Sequence, residues 1–353
     1  MQIDFHHAVT YVVARLGGLA PGEASIVAHA SQYVDDAVND GAVEFDNGAM
    51  YARISSAHKM LDYRNFEALA DHLVWVPFHF LPGNGGLPAG QDPDGPFIEK
   101  LVCRPNSYVA RDMIASVIDR RRMRHALHRL GITMHVYADT WAHQGFAGIS
   151  HEINHATDIT GPDGKSHTTT VQKLQSYFLN KALPLGHGTV LGNPDKPYLM
   201  WGYTNGHGTR IERDNPKDFV DAANQMCRAI QCYVAGDIDH PAPGLGMMDK
   251  EIIRTLFCSI IDDDEKRRHG VWLEQIKKGS FSFGPETIVY VPEGEGSWKH
   301  EALGVADKDD DDAQFAYRPE FLRSDWKLFH DALQMHRLEI VNHILPEYGI
   351  CAA

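Results

Sequence analysis

In the stretch MHVYADTWAHQGFAG, residues 134–148, His135, Asp139 and His143 recur every four residues. On a helix turning about 100° per residue, each such step drifts by only about 40°, so imidazole, carboxylate and imidazole leave one face. Two chemistries fit that ladder: a buried polar network whose members satisfy one another, or a bound cation. The neighbours Thr133, Met134, Val136 and Ala138 are small or apolar, which half-buries the ladder. Buried carboxylates and imidazoles are costly unless paired or bound to a cation, and that favours a metal.

Three further segments offer partners. In DFHHAVTYVVARL, His6 opens an amphipathic stretch with Asp4 two residues before it. Asp4 reads first as a helix N-cap and second as a ligand. In SQYVDDAVND, Asp35 and Asp36 end an otherwise apolar helix, where the negative helix C-terminus disfavours acids and a nearby cation would explain them. In VWVPFHFLPG, His79 sits between Phe78 and Phe80, and an imidazole there needs a partner, either a hydrogen bond in the core or a metal.

Holding these residues takes helices. Apolar periodicity predicts one around residues 6–16, a second opened by Pro21-Gly22-Glu23 and running to about residue 38, and a third near residues 66–74. From residue 109 to about 144 the period of 3.6 continues, as one long helix or as two with a break at Gly131. Residues 219–235 and 319–345 read as further helices, and 171–182 as a short one. Residues 80–105 and much of 145–218 carry Gly, Pro, Asn and His too densely for regular structure. Residues 280–292, SFSFGPETIVYVP, alternate apolar and polar and read as a β-hairpin. The acidic run at 307–312, DKDDDD, lacks the Gly and Glu spacing of a calcium loop and reads as a solvated loop. The fold class expected is mainly α with long irregular loops and a small hairpin in the C-terminal third. Residues 1–240 would form a helical metal-binding catalytic domain, and residues 241–353 an extension packed on it.

The chain has 353 residues, more than one core usually organises. Its 43% hydrophobic and 23% charged residues suit a folded globular chain, and no apolar run is long enough to span a bilayer as a helix. The net charge of −14 argues against holding nucleic acid through a basic surface, so phosphate chemistry must bring its own positive charge. Five cysteines without a CxxC pair suggest reduced thiols in place of a disulfide framework or a thiolate zinc site. Asp4 replaces a basic n-region and Arg15 breaks the apolar stretch after it, so a cytoplasmic location is expected, with leaderless export as the other route.

The order of these pieces resembles the superfamily of zinc-dependent phospholipases C and single-strand-specific nucleases. It runs from an N-terminal helix beginning near a His, through Tyr33-Val34-Asp35 at a helix end and Pro77-Phe78-His79-Phe80, to His135-x-x-x-Asp139 followed by His143. The resemblance covers about residues 1–235. It implies an all-helical core with three zinc ions in a cleft, two of them bridged by an aspartate. Carried over residue by residue, Asp139 looks like the bridging carboxylate. Asp35, with Asp36 as its alternative, would complete the first site together with His79 and His135. His6 would join the second, where the family also uses its N-terminal residue, so that Met1 or its substitute Asp4 takes part. The third would take His143, here four residues after the aspartate where the family has six. Its other ligands would be His187 and Asp195, or else His151, His155 and Asp158. Asp139 and Asp35 are then the candidate catalytic carboxylates.

The implied activity is phospholipase C-like hydrolysis of phosphodiester bonds with two to three zinc ions, although imidazole and carboxylate also suit manganese or iron. Zinc lowers the pKa of water to about 7, and a further cation takes up charge on the phosphate in place of Arg and Lys clamps. An acidic chain with its positive charge confined to a metal cleft favours a phospholipid head group or a small phosphodiester over a long polyanion. Single-strand nuclease activity comes second, and a non-catalytic, metal-stabilised binding protein is the reading from another class. Residues 81–90, Trp141 and Phe146 either frame the substrate entrance or belong to loop and core.

Overall fold

A computed structural model describes residues 1–57, 68–161, 190, 192–305 and 314–351. A π-helical stretch, Asp4–Val9, continues without a break into α1 (Thr10–Leu16), and every residue from Asp4 to Ala14 is buried. α2 (Pro21–Asp36) starts on a proline, whose missing N–H falls among the unpaired donors of a first turn, and Glu23 accepts the Ala20 N–H at 2.9 Å. There follow β1 (Gly41–Phe45), β2 (Met50–Arg53), α3 (Ala68–Phe78), α4 (Ile98–Leu101), α5 (Tyr108–Asp119) and α6 (Ala126–Ala142). β3 (Ala156–Thr160), β4 (Met200–Asn205) and β5 (Arg210–Asp214) lead into α7 (Asn215–Ala235). α8 (Met247–Ser259), α9 (Glu265–Lys277), α10 (Trp298–Leu303), β6 (Gln314–Phe315) and α11 (Asp325–Glu339) follow, and α11 runs on through a π-helical stretch, Ile340–Ile344, into a last short helix, Leu345–Glu347. The fold is mainly α, and among the described residues no helix is long and apolar enough to cross a membrane.

α6, which carries the His and Asp ladder, lies at the centre. All its residues from His128 to Ala142 are buried, and α2, α5, α7 and α11 pack around it. Such burial on every side is the property of a core helix. α2 crosses α6 at Gly131, where a Cβ would stand 2.4 Å from the Val27 carbonyl oxygen and 2.6 Å from the Ala30 Cβ. Gly131 therefore does not end the helix; it lets two backbones touch. The periodic run breaks earlier, between Asp119 and Ala126, where a stretch rich in Arg turns to solvent.

Two small sheets flank the helices, in the orders β2-β1-β6 and β3-β4-β5. β1 pairs with β2 from Gly41 opposite Arg53 to Glu44 opposite Met50, and β4 with β5 from Met200 opposite Asp214 to Thr204 opposite Arg210. Neither hairpin was expected: residues 41–53 were assigned to no element, and residues 200–214 fell in a stretch read as irregular. The available signals were Asn47-Gly48 and Asn205-Gly206, turn pairs set between short alternating runs.

The hairpin expected at residues 280–292 does not form. That stretch is an extended strap without strand pairing, interrupted by Pro285 and ended by Pro292. Its alternation is satisfied by helices instead of a neighbouring strand. Phe281 and Ile288 enter the main core, Glu286 accepts hydrogen bonds from Tyr11 and Arg15, and the Tyr290 hydroxyl donates to Asp36. Residues on both sides of position 240 share one apolar cluster running from Met1 to Ile350. A second cluster joins Tyr33, Phe78 and Ile132 to Trp298, Trp326 and Phe329.

Candidate metal centre

Asp139, in the last turn of α6, is 1% exposed and has a different set of neighbours at each oxygen. Oδ1 lies 2.5 Å from the Met1 α-nitrogen and 3.2 Å from His6 Nε2. Oδ2 lies 3.3 Å from His135 Nε2, 3.4 Å from His79 Nδ1 and 3.6 Å from His143 Nδ1. Asp35 Oδ1, at the end of α2, approaches His135 Nε2 at 3.8 Å and His79 Nδ1 at 3.9 Å. Asp195 Oδ1 stands 3.2 Å from the Met1 nitrogen and 3.6 Å from His143 Nε2. Ligands at about 2.0–2.2 Å from a tetrahedral ion stand roughly 3.4 Å apart, the scale of these separations. His6, His135 and Asp139 form one buried group able to hold a metal ion, and Asp35, His79 and His135 form another.

The main chain aims these rings. His135 Nδ1–H donates to the Ser31 carbonyl at 2.8 Å, and His79 Nε2–H donates to the Ser56 carbonyl at 2.9 Å. With one proton on each ring, the nitrogens facing the centre both bring lone pairs. His143 Nδ1–H donates to the His79 carbonyl at 2.8 Å, which turns Nε2 toward Asp195. The outer hydrogen bond that sets the tautomer of a metal-ligating imidazole is thus present three times. His6 stacks on His135 with ring centroids 3.8 Å apart. Both His6 nitrogens and Asp139 Oδ2 are buried without a hydrogen-bond partner, a costly state that a cation would relieve.

Electrostatics agree with that geometry. Burial pulls His6 down to about 4 and His135 well below the usual imidazole range, so both rings are neutral at pH 7, the form that ligates. Burial would raise Asp139, but His143 and then the Met1 ammonium hold it well below the usual carboxylate range. Burial, then the Asp139 charge, push Asp35 well above it, against the opposing ammonium. Burial lowers the Met1 amine, yet Asp139 and Asp195 carry it up to about 11. An ammonium ion therefore stands beside the carboxylates where the resemblance places the second metal.

Of the residues named from sequence, His6, Asp35, His79, His135, Asp139, His143 and Asp195 come together here, with the Met1 amine among them. His187 lies outside the described residues, as does His58, a histidine of the polar stretch SSAHKM with no apolar context and no assigned role. His151 is occupied elsewhere, its Nδ1 accepting the Ile153 N–H at 3.1 Å, and Asp158 is exposed on β3. Asp4 is neither cap nor ligand: it forms a buried ion pair with Arg268, Oδ2 to Nε at 2.7 Å. Asp36 turns away to Gln32 and Tyr290. Trp141 and Phe146 are core residues at 2% and 0% exposure, and the Trp141 indole donates to Asp221. The carbonyls of Ser31 and Ser56 and the guanidinium of Arg268 escaped the sequence reading. A carbonyl carries no residue identity, and the arginine is distant in sequence.

Fold and centre together define a mainly helical protein with buried His and Asp groups able to hold a metal ion. The chain belongs to DUF6765, a family of unknown function, whose model matches residues 1–344. No curated protein and no solved structure matches it.

Proposed function

We propose that the protein is a zinc-dependent hydrolase of phosphodiester bonds, phospholipase C-like in its core, with two to three ions at the centre. The observation that carries the reading is Asp139, whose two oxygens serve different donor sets, Met1 and His6 at Oδ1 and His79, His135 and His143 at Oδ2. A carboxylate so placed suits two cations better than one. His79, His135, Asp35 and Asp139 would hold the first, His6 and Asp139 the second, joined by the Met1 amine once an ion displaces its proton, and His143 with Asp195 a third. When bound, zinc supplies Lewis acidity and a lowered water pKa.

The residues of the chain do the rest. Ser31 and Ser56 fix the His135 and His79 rings through their carbonyls, so donor atoms are oriented before any ligand arrives. The Asp35 side chain is one-third exposed while that of Asp139 is 1% exposed, so Asp35 is the more accessible of the two candidate catalytic carboxylates. Single-strand nuclease activity is the second reading of the same centre, and the net charge of −14 ranks it below a compact diester. The test is elemental analysis together with hydrolysis of phosphatidylcholine, single-stranded DNA, RNA and bis-(p-nitrophenyl) phosphate, each with and without chelator. Metal below one ion per chain, with rates indifferent to chelator, contradicts the proposal.

A further inference from the structure

Asp35 divides its two oxygens between different neighbours. Oδ1 faces the centre, 3.8 Å from His135 Nε2 and 3.9 Å from His79 Nδ1, while Oδ2 accepts from Gln32 Nε2 at 3.4 Å. The same nitrogen donates to Asp36 Oδ2 at 3.3 Å, and the Tyr290 hydroxyl, from the strap at 280–292, donates to that Asp36 oxygen at 2.5 Å. A line of donors and acceptors thus runs from Tyr290 through Asp36 and Gln32 to the second oxygen of Asp35.

Spacing explains how one amide serves two acids. Gln32, Asp35 and Asp36 stand at i, i+3 and i+4 in the last turns of α2, which puts the three side chains side by side. Two carboxylates at the negative end of a helix repel each other and oppose the dipole. An amide nitrogen carries two N–H groups and no charge, so it can hold both. Its orientation is fixed by the network, since a flipped amide would aim its carbonyl oxygen at two carboxylates. The arrangement has a cost: Gln32 is 6% exposed, and its Oε1 is buried without a hydrogen-bond partner. What suits glutamine to this position is therefore its pair of donors.

The restraint matters at Asp35 because packing holds it least. Its side chain is 33% exposed, against 10% for Asp195 and 1% for Asp139. A carboxylate meets a cation through one oxygen or through both. With Oδ2 tied to Gln32, only Oδ1 is offered to the space between His79 and His135. A catalytic zinc site keeps a coordination position open for water or substrate, and a second Asp35 oxygen would close it.

Resting on the metal centre of the proposed function, we propose that Gln32 is a positioning residue that keeps Asp35 a one-oxygen ligand, and that Tyr290 steadies it through Asp36. The openness of the first site is then set from outside the ligands, in part by the C-terminal third of the chain.

The test reads metal binding and a spectrum in place of turnover. The full chain, freed of metal, is titrated with cobalt(II), whose visible absorption weakens as its coordination number rises, and zinc affinity is measured in competition with a chromophoric chelator. Gln32→Met keeps the length and bulk of the side chain and removes both donors. It should weaken the absorption per bound cobalt and lower zinc affinity about tenfold. Tyr290→Phe leaves α2 untouched and should move both readouts the same way by less. Wild-type absorption per cobalt in Gln32→Met overturns the assignment whatever its affinity, because lost affinity alone is what a merely structural residue would give. If Gln32→Met does not fold, the spectrum of Tyr290→Phe decides. A wild-type chain that takes up neither cobalt nor zinc removes the metal reading and this one with it. A chain that binds both metals and hydrolyses no diester removes only the phosphodiesterase reading, and the spectrum still judges Gln32.

Discussion

His79 Nδ1 and His135 Nε2 face one another at 3.2 Å, and the second nitrogen of each ring is committed to a main-chain carbonyl. Carboxylate oxygens of Asp35 and Asp139 close the same space. Lone pairs and negative charge gathered in a buried volume repel, and a divalent cation converts the repulsion into attraction. The expected outcome is two to three metal ions per chain in protein prepared with zinc, measured by elemental analysis. His135→Ala, which belongs to both ligand groups, should lower that number by at least one.

Asp139→Asn should remove activity and leave the chain folded, because an amide cannot join two cations as a carboxylate does. A loss of kcat/KM on bis-(p-nitrophenyl) phosphate beyond about 100-fold is expected, larger than the usual effect of an outer-shell change. Circular dichroism checks the fold. His58→Ala, on a polar stretch of sequence, should be nearly silent, and equal losses in the two variants contradict the role given to Asp139.

Gly131→Ala adds a methyl group where α2 and α6 touch, against a main-chain oxygen that has nowhere to go. Helix propensity alone favours alanine by about 1 kcal/mol. Overpacking opposes it by about 1–3 kcal/mol, and backbone contact at 2.4 Å puts this position at the upper end. Urea denaturation should show net destabilisation. Zinc affinity should fall with it, since α2 carries both Asp35 and the Ser31 carbonyl.

The ladder on α6 was readable because a helix converts a spacing of four into a shared face, and His79 because an imidazole among phenylalanines must have a partner. The strands were hidden because five residues of alternation beside a Gly-rich turn resemble irregular chain. The strap at 280–292 misled for the opposite reason, since its alternation is real but faces α1 and α2. Sequence left Gly131 as either a helix break or a point within one long helix, and its contact with Val27 appears only once two helices are packed.

Stability should fall with acid. Burial pulls the imidazoles of His29 and His336 down to about 3, while in the unfolded chain they titrate near 6.5. Below pH 6.5 the unfolded chain takes up protons that the folded chain refuses, so the folded state loses up to about 1.4 kcal/mol per pH unit for each group. That loss ends only near pH 3. For chelated protein, going from about pH 7.5 to about pH 5.5 should cost about 2–3 kcal/mol from these two residues, read from urea midpoints.

Salt should separate the two substrate classes. With 33 basic against 47 acidic residues, the flanking phosphates of a polymer meet repulsion that is screened over about 8 Å at physiological ionic strength. Cleavage of single-stranded DNA, the slower reaction, should therefore gain kcat/KM as salt rises from low to moderate, while a small diester changes little. Faster DNA cleavage that declines with added salt would make the nuclease reading the leading one.

Arg268 holds Asp4 from 264 positions away and Gln2 from 266. A ribosome that has made the whole of α6 has produced the His135 and Asp139 ladder but not the anchor for the segment that brings His6 to it. Closing so long a loop waits on α9, and contacts of that separation form late. A protein ending before position 268 would lack the buried partner of Asp4 and Gln2, so the His6 side of the centre would be held only by its contacts with α6 and the apolar core.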